Sequence, residues 1–127
     1  MSSNWAEASE ALAADRAATV HRIAALTREF DGIVESAALG NTDDEHDPEG
    51  ATIAFERAQV AALLEQARSH LADLDQAIRR IEAGTYGRCE DCGQPITAER
   101  LAARPAARTC IACAVPPDAK RRGAQSR

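Results

Sequence analysis

The sequence predicts an all-α protein, a long antiparallel helical hairpin (coiled coil) followed by a small module built on four cysteines. Three observations support this fold class. Aromatic residues make up only 3% of the chain, whereas a sandwich or barrel needs many more ring and β-branched residues. Two long segments carry apolar residues at helical spacing, and an acidic segment separates them. Two CxxC pairs follow the second helical segment.

The first helical segment extends from about Asn4 to Leu39 and contains no proline. Its apolar residues recur three and four positions apart, which is the spacing of one helix face. This stripe consists of Trp5, Ala8 and Leu12, then Ile23, Leu26, Phe30, Ile33 and Ala37. The register drifts around Arg16, between the two groups. The pattern predicts one helix with a buried face.

Residues 40–50 separate this stripe from a second one. They contain two glycines, one proline and five carboxylates, so they predict an acidic loop. From Val60 onward the apolar steps alternate between four and three, as in a coiled-coil seam. The seam consists of Val60, Leu64, Ala67, Leu71, Leu74, Ile78 and Ile81, and Ile53 precedes it. Gly84 then predicts the C-terminal cap of the second helix.

Two such helices joined by a short loop bury their seams against each other. They therefore predict an antiparallel hairpin over residues 4–83 with its acidic tip at 40–50. At ~1.5 Å per residue the second helix is roughly 50 Å long. The periodicity leaves two interpretations open. The hairpin is either half of a bundle or dimer, or a projecting coiled coil whose function lies at its tip.

The four cysteines form the pairs Cys89/Cys92 and Cys110/Cys113, with seventeen residues between the pairs. Each CxxC turn offers two thiolates on one side of a tetrahedron, so the pattern predicts one Zn²⁺ in a module over residues 84–114. Four thiolates close the coordination shell, so this zinc is structural rather than catalytic. The competing interpretation, a redox CxxC pair, lacks the βαβ context of a thioredoxin.

The cysteine module contains few large apolar side chains, namely Tyr86, Ile96, Leu101 and Ile111. A segment this small rarely folds on its own core, whereas structural zinc contributes about 10–16 kcal/mol of folding free energy. Gly93 predicts the tight turn of a zinc knuckle, in which a backbone N–H faces a thiolate. We therefore expect metal removal to unfold the module while the hairpin survives.

Composition and charge argue against several functional classes. A net charge of −5 is unlike that of proteins that coat nucleic acid, and the cysteine module has no run of base-reading side chains, so we expect no sequence-specific DNA binding. No apolar stretch is long enough for a membrane span and the N-terminus does not resemble a signal peptide, so we expect a cytoplasmic protein.

We expect no enzymatic activity, because the sequence offers no nucleophile–base pair, open metal position or phosphate loop. Residues 115–127 predict a flexible basic tail.

The cysteine module also carries a family resemblance. Its residues are Tyr86-Gly-Arg-Cys-Glu-Asp-Cys-Gly-Gln-Pro-Ile96, then Arg100-Leu-Ala-Ala-Arg-Pro105, then Cys110-Ile-Ala-Cys113. Over about residues 81–114 the sequence resembles the DksA/TraR family of bacterial transcription regulators, and the preceding hairpin fits that family's architecture. The resemblance implies a C4-type zinc finger beside a coiled coil.

The resemblance implies a partner and a mechanism as well. Members bind bacterial RNA polymerase, insert the coiled coil into its secondary channel and destabilise promoter complexes, often together with guanosine tetraphosphate (ppGpp). Acidic residues at the tip approach the catalytic centre, and here these would be Asp43, Asp44, Glu45 and Asp47. The family's tip pattern is Asp-x-x-Asp-x-Ala. This sequence supplies Asp44 and Asp47 but has Glu49 in place of the alanine.

The resemblance also bears on ppGpp binding. In responsive members three basic positions contact the nucleotide, and they correspond here to Asp73, Arg104 and Ala114. Only Arg104 is basic, so we expect a weak or absent ppGpp response. Two other functions remain open. One is a zinc-stabilised coiled-coil adaptor for another protein partner, and the other is a redox- or zinc-responsive sensor.

Overall fold

The computed structural model describes residues 5–39 and 48–114 of the 127-residue chain. Its helices, in chain order, are α1 (Ala6–Leu39), α2 (Pro48–Ala83) and α3 (Ala98–Ala103). Within the described ranges there is no β-strand, and the single β-bridge is an isolated antiparallel one between Arg88 and Pro95. The predicted all-α class and its two long helices are therefore confirmed. None of the described helices is long and apolar enough to cross a membrane.

The helix boundaries differ from the prediction at one end of α2. The helix begins at Pro48, so residues 48–50, which the sequence analysis assigned to the loop, are helical. Proline is favoured in the first helical turn, because its missing N–H is not needed there and its φ is already near the helical value. At the other end, Gly84 has a φ of 81° and its N–H donates to the carbonyl of Ile81, as expected for a helix cap.

The chain divides into two compact units. Among the described residues, unit 1 comprises 5–14 and 73–114, and unit 2 comprises 15–39 and 48–72. Unit 1 therefore combines the cysteine module with the first turns of α1 and the last turns of α2. This division differs from the sequence-based one, which separates the hairpin from the module at residue 84.

Unit 2 is formed by α1 and α2 packed through their apolar faces. Its buried residues are Leu26, Val60, Leu64 and Ala67, and Ile23, Phe30, Ile33 and Leu63 pack against them. All but Leu63 are positions of the predicted stripes. Early in α1, Asp15 lies 3.0 Å from the His70 imidazole in the second half of α2 (Oδ2 to Nε2). In an antiparallel hairpin, a residue early in the first helix lies beside a residue late in the second, as Asp15 and His70 do.

A buried threonine explains why the apolar register of α1 drifts. Thr19 is only 5% exposed and occupies the buried face seven residues after Leu12. Its hydroxyl donates to the carbonyl of Asp15 at 2.7 Å, so the helix itself satisfies the polar group. The buried face of α1 thus includes Thr19, a polar residue that a search for apolar residues does not find.

Unit 1 has a separate core that joins the helix ends to the cysteine module. Its buried residues are Leu12, Leu74, Ala77, Tyr86, Cys89, Ile96 and Leu101. Trp5 packs edge-on against Tyr86, with 4.8 Å between ring centroids. Ile111, which the sequence analysis counted among the few large apolar side chains of the module, is 73% exposed. It lies between the two cysteines of the second pair, and because both of these face the common sulfur cluster, its side chain is left at the surface.

Candidate metal centre

The four cysteines converge in unit 1. Their sulfur atoms all lie within 4.8 Å of one another, and those of Cys92 and Cys110 are 3.8 Å apart. Tetrahedral Zn²⁺ with Zn–S bonds of about 2.3 Å places its sulfur ligands about 3.8 Å apart. All four cysteines are free of disulfide bonds. The donor set and its spacing therefore fit one structural zinc held by Cys89, Cys92, Cys110 and Cys113.

The first cysteine pair lies in a tight turn whose backbone faces the sulfurs. Gly93 has a φ of 77°, in the region that favours glycine. Its N–H donates to the Cys89 carbonyl at 3.0 Å, and the Cys89 N–H donates to the Gln94 carbonyl at 2.8 Å. The backbone N–H groups of Asp91 and Cys92 lower the pKa of the Cys89 thiol. These contacts form the knuckle that Gly93 predicted.

The electrostatics of the thiols favour binding of a cation. Burial raises the pKa of Cys89, but backbone N–H groups of Cys110, Cys92 and Asp91 stabilise its thiolate and bring the pKa down to about 6, from an ordinary 9.0. Hydrogen bonds with the Cys110 and Cys89 sulfurs raise the pKa of Cys113 to about 12. At neutral pH the Cys89 sulfur thus carries charge while Cys113 retains its proton, and a divalent ion replaces that proton.

The second pair is positioned by α3 and by the first knuckle. Thr97 caps α3, and its hydroxyl accepts a hydrogen bond from the Arg100 N–H at 3.2 Å. The Arg100 guanidinium donates from Nε to the Thr109 carbonyl at 2.9 Å, just before the second pair begins. The N–H of Glu90, in the first pair, donates to the Arg108 carbonyl at 2.9 Å. The segment leading to Cys110 is therefore fixed on two sides.

Side chains of α2 attach its last turns to the module. Arg80 pairs with Glu90 at 2.5 Å (Nη1 to Oε2), and Gln76 accepts a hydrogen bond from Arg108 at 3.4 Å. Because the Glu90 side chain is 43% exposed, its ion pair contributes less than its short distance suggests. The contact still fixes orientation, since Glu90 lies between Cys89 and Cys92.

Tyr86 connects the helix ends with the segment after α3. Its hydroxyl donates to the Pro105 carbonyl at 2.6 Å. Burial raises the pKa of this phenol, and the positive charge of Arg80 opposes the rise. The hydroxyl therefore stays protonated and keeps its donor role at neutral pH. The sequence analysis treated Tyr86 as an apolar residue only and assigned no role to Arg100. The hydrogen bonds from the Tyr86 hydroxyl to Pro105 and from the Arg100 guanidinium to Thr109 do not follow from residue spacing.

Replacing Gly87 with alanine is expected to destabilise unit 1 by about 1–3 kcal/mol, because the alanine would adopt a strained backbone conformation and would also crowd the Trp5 ring. The residue has a φ of 85°, and a Cβ there would lie 3.0 Å from the Trp5 ring. Gly84→Ala is the matched control, since Gly84 has a φ of 81° with no atom within 4 Å of its Cβ position. Denaturation followed by Trp5 fluorescence measures both. Equal losses in the two variants would show that the Trp5 contact contributes nothing.

The other predicted site residues are more dispersed. The tip residues Asp43, Asp44, Glu45 and Asp47 lie outside the described residues. Arg104 is exposed and forms the C-cap of α3, with its N–H donating to the Arg100 carbonyl at 2.7 Å. Asp73 is half-buried in α2 and Ala114 is exposed. Among the predicted site residues that lie within 5–39 and 48–114, the zinc ligands are the ones that the structure brings together.

Comparison with known proteins extends these observations. Residues 84–116 match the family model of the prokaryotic dksA/traR C4-type zinc finger. The chain is 44% identical over 52 residues to the RNA polymerase-binding transcription factor DksA of Caulobacter vibrioides, covering 41% of this chain and 37% of that protein. It is 44% identical over 66 residues to YteA of Bacillus subtilis, covering 52% of this chain and 28% of that protein. The matches thus span well under half the length of these two curated relatives.

A structural comparison covers more of the chain. The solved structure of transcription factor DksA2 from Pseudomonas aeruginosa has a TM-score of 0.50 and 28% sequence identity to this protein. The match includes 91% of this chain and 84% of that one. The similarity therefore includes the long helices as well as the zinc module. The cysteine geometry, the zinc-finger match over residues 84–116 and this shared fold together support a resemblance of the chain to the prokaryotic DksA/TraR C4-type zinc-finger family.

Proposed function

We propose that this chain binds bacterial RNA polymerase, inserts its helical hairpin into the secondary channel and modulates promoter complexes without sequence-specific DNA contacts. The observation that carries the proposal is the 44% identity to an RNA polymerase-binding transcription factor. A second observation supports it. Helices of 34 and 36 residues flank the acidic segment 40–47, as a channel-inserted hairpin requires.

The acidic segment supplies the chemistry of the proposal. Asp43, Asp44, Glu45 and Asp47 place four carboxylates within five consecutive residues. Carboxylates that approach a Mg²⁺-containing catalytic centre alter the local field strongly, because a bound divalent ion is the largest charge in such a site. The zinc module has a different part in the proposal. Its closed thiolate shell offers no position for a substrate, so its part is structural.

Replacing both Asp44 and Asp47 with asparagine is expected to weaken inhibition of transcription at least tenfold while leaving polymerase binding within about threefold. The reason is that the exchange removes two charges at the tip and preserves side-chain volume. Transcription in vitro from a ribosomal RNA promoter, with bacterial polymerase and titrated protein, measures the effect. Asp31→Asn combined with Glu35→Gln is the matched control, because both residues are exposed on α1.

The same assay tests the other functions. Full-strength inhibition by the Asp44/Asp47 variant would contradict a role for the tip. Failure of the folded, zinc-loaded protein to bind polymerase would favour the adaptor interpretation. Loss of inhibition on mild oxidation, restored by thiol and zinc, would favour the sensor interpretation. Because Arg104 is the only basic residue at the three alarmone positions, we also propose that ppGpp changes the inhibition by less than tenfold.

A further inference from the structure

The chain has only four aromatic side chains, and three of them are packed. Trp5 and Tyr86 contact each other in unit 1, and Phe30 packs against the core of unit 2. Phe55, on α2, is 69% exposed. We propose that Phe55 is an anchor through which α2 binds an apolar pocket on RNA polymerase, an inference that rests on the proposed function.

The position of Phe55 on the helix prevents it from joining the core of unit 2. Ile53 is half-buried and Val60 is buried, so they mark the face of α2 that packs on α1. Phe55 follows Ile53 by two residues, which rotates its side chain by about 200° around the helix axis. Its ring is therefore directed away from α1, and it cannot be buried within unit 2 while α2 remains helical.

Three of the four helical neighbours of Phe55 on the exposed face of α2 have small side chains. They are Thr52 and Ala58, three positions before and after it, and Ala51, four positions before it, whereas the fourth neighbour is Gln59. Neighbours at these spacings lie about 5–6 Å apart at Cβ. Because alanine extends no farther than Cβ, the phenyl ring projects above the helix surface on the side away from Gln59. This shape fits a shallow apolar pocket, and aromatic side chains seated in such pockets are typical binding hot spots.

The distance from the tip distinguishes Phe55 from an ordinary exposed apolar residue, which by itself needs no explanation. Phe55 lies seven residues after Pro48, where α2 begins, or about 10 Å along the helix. The acidic segment 40–47 immediately precedes that start. If the tip enters the secondary channel, this part of α2 enters with it. The inserted part of α2 then includes Phe55.

The test compares two exposed apolar residues of unit 2 after the same exchange. Phe55→Ala is expected to weaken binding of the full, zinc-loaded chain to bacterial core RNA polymerase at least tenfold. Val20→Ala is the control, because Val20 is 43% exposed on α1, and its change should stay within twofold. Phe55→Leu, which keeps apolar bulk, should restore binding to within threefold. Alanine is a strong helix former and neither position is buried, so the variants should fold normally, as circular dichroism checks.

The possible results separate this inference from the proposed function. If wild-type protein binds polymerase and Phe55→Ala binds equally well, the anchor is wrong and the proposed function stands. If wild-type protein does not bind, the proposed function fails and the anchor fails with it. Equal losses for Val20→Ala and Phe55→Ala would also overturn the anchor, since the contact would lack specificity. Sedimentation without polymerase tests a second copy as the occupant, and a dimer abolished by Phe55→Ala would reassign the surface to self-association.

Discussion

Removal of zinc by excess chelator is expected to unfold unit 1 and leave most of the helical structure of unit 2. Structural zinc supplies on the order of 10–16 kcal/mol in small modules, which exceeds what a core of this size provides. Cys89 is only 3% exposed and belongs to the core of unit 1 together with Leu12, Leu74 and Tyr86. Loss of the metal therefore disrupts the helix ends as well as the cysteine module.

The single tryptophan allows the two units to be followed separately. Trp5 packs on Tyr86 in unit 1, so its emission should shift to the red as that unit opens. Circular dichroism near 222 nm reports mainly on the long helices and should fall only in part. Cys110→Ser should reproduce the effect without chelator, and Ile111→Ala is the matched control, because Ile111 lies in the same turn but is exposed. An unchanged Trp5 spectrum after verified zinc loss would contradict the prediction.

The same experiment should depend on pH in a defined direction. Zinc binds thiolates, so protons compete with the metal for Cys113 and its neighbours. Cys89, with a pKa of about 6, is already ionised at neutral pH, whereas the pKa of about 12 at Cys113 means that this thiol must lose a proton when the metal binds. Lower pH therefore favours zinc release. At the same free zinc concentration, set by a metal buffer at each pH, the zinc-loaded fraction should be lower at pH 6 than at pH 8.

Periodicity was sufficient to predict the helices, because their buried faces are made of the residues that repeat every three or four positions. Leu26 and Leu64 are buried in unit 2, and Leu12 and Leu74 in unit 1. Thr19 was missed because its hydroxyl is satisfied by a carbonyl of its own helix, a contact that a hydrophobic pattern does not detect. The division into units was not anticipated either, since it depends on contacts between residues distant in sequence.

The zinc ligands followed directly from the sequence, whereas the contacts that position them did not. CxxC spacing fixes which sulfurs can share a tetrahedron. The bonds from Tyr86 to Pro105 and from Arg100 to Thr109 depend on how the chain returns after α3. Ile111 is a large apolar residue whose side chain the turn leaves exposed, and hydrophobicity alone does not indicate this. Local chemistry therefore predicts the ligands, and tertiary packing decides their surroundings.

Leu74→Ala is expected to destabilise the zinc-loaded protein by about 2–5 kcal/mol, which is a large fraction of the stability of a small domain. Leu74 is 1% exposed and packs in the core with Leu12 and Ala77, both 0% exposed. Truncation leaves a cavity, and the surrounding side chains belong to both helices and to the cysteine module. The site therefore cannot collapse without moving one of them.

Ile78→Ala provides the control for this prediction. Ile78 lies four residues later on the same seam and packs against the same core but is only half-buried, so its truncation opens space to solvent instead of a closed cavity. Urea denaturation followed by Trp5 fluorescence should give the larger loss for Leu74→Ala. A loss no greater than that of Ile78→Ala would show that the zinc centre, and not the apolar core, determines the stability of unit 1. The expected larger loss for Leu74→Ala would instead show that the zinc centre and the apolar core stabilise each other, because Cys89 belongs to the same cluster as Leu74.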